Sequence, residues 1–336
     1  MIMESTKSLM KILITDPLAA SAVAELRNYF EVVEQHYSPT ELLNEIGKYE
    51  AIIVRSATRL PQEAIEKGTR LKVIGRAGIG VDNIDVKTAT KRGIMVVNAP
   101  KSSSISVAEL TVAFMLALSS HLVHVTNETK SNRNPKKWLR RTELFGKTVG
   151  CIGCGRIGRE VITRTKVFGM KSLVYSPHLP HKIATEIGVE KTDDLEYLLR
   201  VSDFITIHTK LSDETRGLIS RREFQLMKPT TYLINCARGG IVDEDALYDA
   251  LKEKRIAGAA LDVFAVEPVK DNKLFELDNI YVSPHIGATT KEAQERVGKV
   301  IVEQVKFALM GKTPDFVVND LSLSDQKKFI TVDTTV

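Results

Sequence analysis

The sequence predicts an α/β protein built from two doubly wound parallel-sheet domains. Three observations carry that expectation. Short apolar runs of strand length alternate with helix-spaced segments along the chain, the pattern of a parallel sheet with helices on both faces. The alternation breaks at a polar, irregular stretch over residues 127–141 and restarts at Lys147. The chain has 336 residues, more than one ordinary core organises, so the two runs of alternation read as two cores.

Each element follows from local pattern. Residues 11–15 open as a strand, and residues 19–30 space their apolar side chains as a helix does. Ser38-Pro39-Thr40-Glu41 is a capping box with proline at the first helical position. Residues 51–54 form a strand, and Pro61 starts another helix. Val73 and Ile74 belong to a strand, residues 85–92 to a helix that Gly93 stops, and residues 94–97 to a further strand. Residues 104–125 read as one long helix, capped by Ser104 or Ser106. Residues 127–141 hold the only tryptophan, Trp138, and read as a surface connection. Strands are then expected at 148–152, 172–175, 204–208, 231–236, 258–263 and 280–282, with helices between most of them. A last long helix over 291–309 ends at Gly311, and 321–336 is a short polar tail without a motif.

Composition excludes several classes. Hydrophobic residues make up 43% and charged residues 26%, as in soluble globular proteins. The net charge of +5 is spread along the chain, whereas a nucleic-acid protein gathers basic residues on one element. The excess suits a small anionic partner. No stretch approaches the roughly 20 apolar residues of a membrane span, and the longest apolar run, 107–118, is broken by Glu109 and Thr111. The first ten residues lack a signal-peptide core. Three cysteines cannot all pair, which fits a reducing cytoplasm.

Gly153-Cys154-Gly155-Arg156-Ile157-Gly158 follows the 148–152 strand and opens a helix. In that setting G-x-G-x-x-G marks a dinucleotide site. The first glycine makes a tight turn, the second lets backbone approach a pyrophosphate, and the third lets helix pack on strand. The helix N-terminus attracts phosphates through free N–H groups and its dipole. A plain helix start with small residues is the bland alternative, and the strand-turn-helix context outweighs it.

An acid about 20 residues further on ordinarily holds the ribose 2′-OH. Here the second strand ends Tyr175-Ser176-Pro177-His178, so Ser176 stands in that place, with His181 and Lys182 close behind. The carboxylate that would repel the 2′-phosphate of NADP is missing. NAD is the first expectation and NADP its rival. Cys151 and Cys154 have the spacing of a redox or metal pair, but one lies in a buried strand, the other in the turn, and no second ligand cluster is near. No metal site is expected. The position of Cys154 beside a helix N-terminus predicts a lowered thiol pKa.

Three further residues each fall just past a predicted strand: Arg238 in Asn235-Cys236-Ala237-Arg238-Gly239-Gly240, Glu267 before Pro268, and His285 in Ser283-Pro284-His285-Ile286-Gly287. That edge of an open parallel sheet is where ligands bind. Reduction of a ketone builds negative charge on its oxygen, and histidine can deliver the proton near neutral pH. A carboxylate behind the imidazole fixes its tautomer and stabilises the protonated form, the role that suits Glu267. Arg238 offers a planar fork for the carboxylate of a 2-oxo acid. A lone histidine after a strand is more often a core or capping residue; the three together, behind a dinucleotide turn, favour catalysis. Asp262 at its strand end is a candidate contact to the cofactor carboxamide, or else an ordinary turn residue.

These motifs, with Ile241-Val242-Asp243-Glu244 and Ala260-Leu261-Asp262-Val263-Phe264, resemble the signatures of the D-isomer-specific 2-hydroxyacid dehydrogenases over about residues 11–319. The resemblance implies a catalytic set of Arg238, Glu267 and His285. It implies a Rossmann-type cofactor domain over 100–290 and a flavodoxin-like substrate domain assembled from 9–99 and 291–320. Cofactor contacts are implied at Gly153, Gly155, Arg156, Ile157, Gly158, Ser176, Ala237, Asp262, His285 and Gly287. The resemblance also implies a homodimer joined through the cofactor domain, with the 104–125 helix as the dimer element.

Within the family, Val54-Arg55-Ser56-Ala57-Thr58 and Gly75-Arg76-Ala77-Gly78-Ile79-Gly80-Val81-Asp82-Asn83-Ile84-Asp85 look most like the branch that oxidises D-3-phosphoglycerate to 3-phosphohydroxypyruvate, the first step of serine synthesis. That likeness implies substrate contacts at Arg55, Ser56, Arg76, Gly78 and Ile79, together with Arg238 and His285. Arg140 and Arg141 would add charge from a partner subunit, although the segment between Trp138 and Leu144 looks short. Ser103 stands where asparagine is common. Many relatives carry a further domain that binds serine; none fits within 336 residues, so no serine feedback through such a domain is expected. The alternative readings are a reductase of glyoxylate, hydroxypyruvate or another 2-oxo acid, and a nucleotide-sensing corepressor. Fold alone does not choose between them.

Overall fold

The computed structural model describes residues 10–137 and 139–321, so Trp138 and all of the expected tail except Leu321 lie outside the described residues. The chain divides into two compact units. Of the described residues, one takes 10–103 and 289–321, and the other is Ser104–Ala288.

The first unit runs β1 (Lys11–Ile14), α1 (Ala20–Arg27), β2 (Glu31–Glu34), α2 (Pro39–Glu45), β3 (Ala51–Val54), α3 (Gln62–Lys67), β4 (Val73–Arg76), α4 (Val86–Lys91) and β5 (Met95–Asn98), and is completed by the helix Lys291–Leu309. Its strands pair in parallel in the order β2-β1-β3-β4-β5, the flavodoxin-like order. Both faces of the sheet are covered, which is why its inner strands read as unbroken apolar runs. Ile12, Ile14 and Ile53 pack against α1 and the last helix, while Leu13, Ile52 and Ile74 pack against Leu42, Ile65 and Ala89. The capping box forms: Ser38 N–H donates to Glu41 Oε2 at 2.9 Å and Glu41 N–H donates to Ser38 Oγ at 3.4 Å.

The second unit runs α5 (Ser104–Ser119), α6 (Leu122–Lys130), β6 (Thr148–Ile152), α7 (Arg156–Val167), β7 (Lys171–Tyr175), α8 (His181–Glu186), β8 (Glu190–Thr192), α9 (Leu195–Val201), β9 (Phe204–Ile207), α10 (Arg221–Leu226), β10 (Tyr232–Asn235), α11 (Glu244–Lys252), β11 (Gly258–Leu261) and β12 (Ile280–Val282); Lys291–Leu309 is then α12. The seven strands are parallel in the order β12-β11-β10-β9-β6-β7-β8. The chain builds outward from β6 to β8, then crosses to β9 on the other side of β6. This is the Rossmann pattern, and its switch point lies between β6 and β9.

The single helix expected over 104–125 is two helices. His121 takes a left-handed φ of 51° between them, and the axes bend by 58°. The end of α5 tightens first, with His121 N–H bonded to the Leu118 carbonyl at 3.1 Å rather than to that of Ala117, one residue further back. The Tyr281 hydroxyl then accepts from the N–H groups of Val123 and His124 at the start of α6. No glycine or proline marks the break, so apolar spacing runs across it unaltered. Among the described residues, no single helix is long and apolar enough to cross a membrane.

Candidate active site

β6 delivers the glycine turn to the switch point. Gly153 has φ 94°, and a Cβ there would lie 2.7 Å from the His208 carbonyl oxygen at the end of β9. Only glycine fits such a turn against a neighbouring backbone. A Cβ on Gly158 would run into the Gly153 carbonyl, whereas one on Gly155 would meet nothing within 4 Å. The cradle is therefore tight where helix meets strand and open above Gly155. α7 has no side-chain cap, so its first N–H groups face that opening. These residues fit the pyrophosphate of a dinucleotide. Ser176 follows β7 directly, and its carbonyl accepts from Leu179 N–H at 2.9 Å.

Cys151, in β6, and Cys154, in the turn, are both buried. The Cys151 thiol donates to the Gly153 carbonyl at 3.2 Å, and burial pushes its pKa up. The expectation of a lowered Cys154 pKa is overturned. Burial raises it by more than the neighbouring Arg159 lowers it, because the side chain points into the apolar cluster with Ile162 and Val174 rather than toward the open helix end.

At the end of β10, Asn235 shapes the next turn. Its Oδ1 accepts Ala237 N–H at 3.0 Å and its Nδ2 donates to the Arg238 carbonyl at 2.9 Å. Arg238 Nη1 donates to the Ala237 carbonyl at 2.7 Å. At the end of β11, Asp262 is 1% exposed. Its Oδ1 accepts from Ser283 Oγ at 2.5 Å and Ile286 N–H at 2.8 Å, and its Oδ2 accepts from Gly287 N–H at 2.8 Å. Asp262 thus holds the loop that carries His285, which itself sits at a left-handed φ of 56°.

His285 Nδ1 lies 2.7 Å from Glu267 Oε2, and Glu267 Oε1 accepts Phe264 N–H at 3.0 Å. Burial raises the Glu267 pKa, but the hydrogen bonds from His285 and Phe264 and the charges of His285 and Arg238 outweigh it. The carboxyl is held below the usual range. The pair stays accessible, with side chains 36% and 34% exposed. Arg238, Glu267 and His285 are thus gathered at the carboxyl edge of one sheet. Their anchors Asn235, Phe264 and Ser283 drew no separate notice in the sequence.

His208 stands at the same sheet edge. It follows β9, its Nε2 lies 2.8 Å from Thr206 Oγ1, and burial pushes its pKa down to about 3. Its one sequence signal is its place at a strand end on the switch-point edge.

In the first unit, Arg55 follows β3 and Arg76 ends β4. Arg55 Nη1 donates to the Pro17 carbonyl at 3.3 Å and Arg76 Nη1 to the Ala77 carbonyl at 3.1 Å. Ser56 is exposed. Gly78 and Ile79 are tied to the end of β5 by Ala99 N–H on the Gly78 carbonyl at 2.9 Å and Asn98 Nδ2 on the Ile79 carbonyl at 2.7 Å.

The family model described as D-isomer specific 2-hydroxyacid dehydrogenase, NAD binding domain, matches residues 112–287. A hydroxypyruvate reductase of Thermotoga maritima is 44% identical over 297 residues, 87% of this chain and 96% of that protein. The chain belongs to the D-isomer specific 2-hydroxyacid dehydrogenase family. A D-3-phosphoglycerate dehydrogenase of Methanocaldococcus jannaschii is 48% identical over 320 residues, 95% of this chain but 61% of that protein's length. The D-lactate dehydrogenase of Aquifex aeolicus, solved with NAD and lactic acid, superposes with a TM-score of 0.83 at 31% identity, covering 93% of this chain and 100% of that one. The stretch that identifies the family begins within α5 and ends at Gly287, so it takes in the glycine turn, Arg238, Glu267, Asp262 and His285.

Proposed function

We propose that this chain interconverts a small 2-hydroxy acid and its 2-oxo acid, with D-3-phosphoglycerate and 3-phosphohydroxypyruvate as the physiological pair, in serine synthesis. The single observation that carries the reading is the 2.7 Å contact between His285 Nδ1 and Glu267 Oε2 at a sheet edge shared with Arg238 and the glycine turn. Bound nicotinamide supplies the hydride acceptor or donor at carbon 2. Gly153, Gly155, Arg156, Ile157 and Gly158 hold the dinucleotide, with Ala237, Asp262 and Gly287 nearer its reactive end. Arg238 takes the substrate carboxylate in its fork and turns carbon 2 to face the cofactor. In the oxidative direction His285 removes the hydroxyl proton as hydride leaves carbon 2; in the reductive direction it returns that proton to the carbonyl oxygen. Glu267 keeps the other ring nitrogen engaged throughout, so Nε2 is the atom that exchanges the proton.

The phosphorylated substrate is supported by the Methanocaldococcus jannaschii relative and by Arg55 and Arg76, which suit phosphate and carboxylate oxygens. The Thermotoga maritima relative favours a second reading, reduction of hydroxypyruvate on the same machinery. NAD is the cofactor of the first reading, and Ser176 leaves NADP as its rival. Activity as a cytoplasmic homodimer joined through α5 completes the proposal. It is supported by three free cysteines and by Ile105 and Leu116, exposed on a helix that is apolar nearly all round.

The deciding experiment is initial rates of 3-phosphohydroxypyruvate, hydroxypyruvate and glyoxylate reduction, with NADH and NADPH side by side. Preference for the phosphorylated acid upholds the first reading. Equal or better rates with the other acids replace it with the second, and no turnover of any of them removes both.

A further inference from the structure

Asp16, at the carboxyl end of β1, is 4% exposed, and its carboxylate serves one loop. Oδ2 accepts Arg55 N–H at 2.6 Å and Thr58 N–H at 3.3 Å, and Oδ1 accepts the Thr58 hydroxyl at 3.0 Å. From the other side, Asn83 Nδ2 donates to the carbonyls of Arg55 at 2.7 Å and Thr58 at 2.6 Å. The loop 55–58 is thus held at both ends, through N–H and carbonyl alike. None of these bonds uses the N–H groups of its middle residues, Ser56 and Ala57, which are exposed. The other side chain near the carboxylate is His36, whose Nδ1 lies 3.9 Å from Asp16 Oδ1 and 3.1 Å from the Thr15 carbonyl. A buried carboxylate is costly to desolvate, and a loop that merely joined β3 to α3 would have no need of five side-chain bonds.

We propose that Asp16 and Asn83 are positioning residues for substrate, preforming the 55–58 loop so that the N–H groups of Ser56 and Ala57, beside the Arg55 guanidinium, receive an anionic group of the 2-oxo acid. The inference rests on the functional reading above. Adjacent N–H groups and a guanidinium suit carboxylate or phosphate oxygens. Holding the loop in its receiving shape removes an ordering cost that substrate would otherwise meet on binding.

The test uses Asp16→Asn, which sets an amide where the loop N–H groups need a carboxylate, Asn83→Asp, which removes both amide donors, and the milder Thr58→Val. KM for whichever 2-oxo acid the wild type reduces should rise about tenfold in the first two, as for a lost charge-assisted hydrogen bond, and about threefold in Thr58→Val. The turnover number and NADH Kd should hold within about twofold, a split that general damage to the fold would not produce. Separately, the amide resonances of Ser56 and Ala57 should move when inorganic phosphate is added to the wild type, and move less in Asp16→Asn. Unchanged KM in folded variants, a fall in kcat at constant KM, or Ser56 and Ala57 resonances indifferent to phosphate would each overturn the proposal. If Asp16→Asn does not fold, Thr58→Val decides by the same readouts. Failure of the wild type to reduce any 2-oxo acid would strike the functional reading instead, and the phosphate titration would still decide the role of the loop.

Discussion

Glu267 Oε2 and His285 Nδ1 meet at 2.7 Å although 18 residues of chain separate them. Each is set in place by backbone rather than by the other alone. Glu267 is fixed by Phe264 N–H just past β11, and His285 by the Asp262 carboxylate, which holds Ile286 and Gly287. Two carboxylates from one strand end thus fix one imidazole, Asp262 through the loop and Glu267 through the ring.

Glu267→Gln keeps the shape of the pair but removes the charge that supports a protonated ring. Reduction should slow by roughly 10²-fold, the usual range for a disturbed acid-base pair, with NADH affinity unchanged. Rates of reduction and oxidation measured across pH should show opposite trends in the wild type, since reduction needs a protonated imidazole and oxidation a neutral one. A Gln variant with wild-type rates in both directions would remove Glu267 from the mechanism.

Arg238→Lys keeps the positive charge and loses the fork. Its turn is held by Asn235 and not by its own guanidinium alone, so the fold should survive. kcat/KM for the 2-oxo acid should fall by about 10²-fold or more, reflecting loss of bidentate orientation. Circular dichroism and cofactor titration should match the wild type. A lysine variant with full activity would mean that charge alone suffices there.

Ser176 bears on cofactor choice. Ser176→Asp places a carboxylate where the ribose 2′-position is expected. The ratio of NADH to NADPH efficiency should rise at least about tenfold, since an acid there accepts the 2′-OH and repels a 2′-phosphate. A ratio that does not move would show that the ribose is read elsewhere.

His208 predicts an acid limb of stability. Burial depresses its folded pKa to about 3 from the ordinary 6.5, so the unfolded chain binds the proton more readily. Unfolding therefore takes up a proton below about pH 6.5, and stability falls as pH falls from there toward 3, by up to about 1.4 kcal/mol per pH unit for one group. In His208→Gln that part of the slope should vanish, as read by denaturant unfolding at several pH values. Parallel slopes for the two proteins would show that His208 finds a proton partner when folded.

What could be read from the sequence depended on where the physics is local. β6, β9, β10 and β11 are buried on both faces and stand out as apolar runs. β2 and β8 are edge strands, Glu-Val-Val-Glu and Glu-Lys-Thr, with no fully buried side chain, so no apolar pattern announces them. The break at His121 is a matter of one dihedral that spacing does not encode. Arg238, Glu267 and His285 could be picked out because each follows a strand. The bonds that set them, such as Ser283 to Asp262 across 21 residues, or Thr58 to Asp16 across 42 in the other unit, belong to tertiary structure and follow no period.

The most direct test of the account is His285→Gln, with single-turnover reduction of the preferred 2-oxo acid and NADH Kd measured on the same preparation. Proton transfer through His285 predicts a rate lower by about 10³-fold, within the usual range for a lost general acid, and an NADH Kd within about twofold of the wild type. Substantial activity in the variant, or loss of cofactor binding in step with loss of rate, would contradict the role assigned to His285.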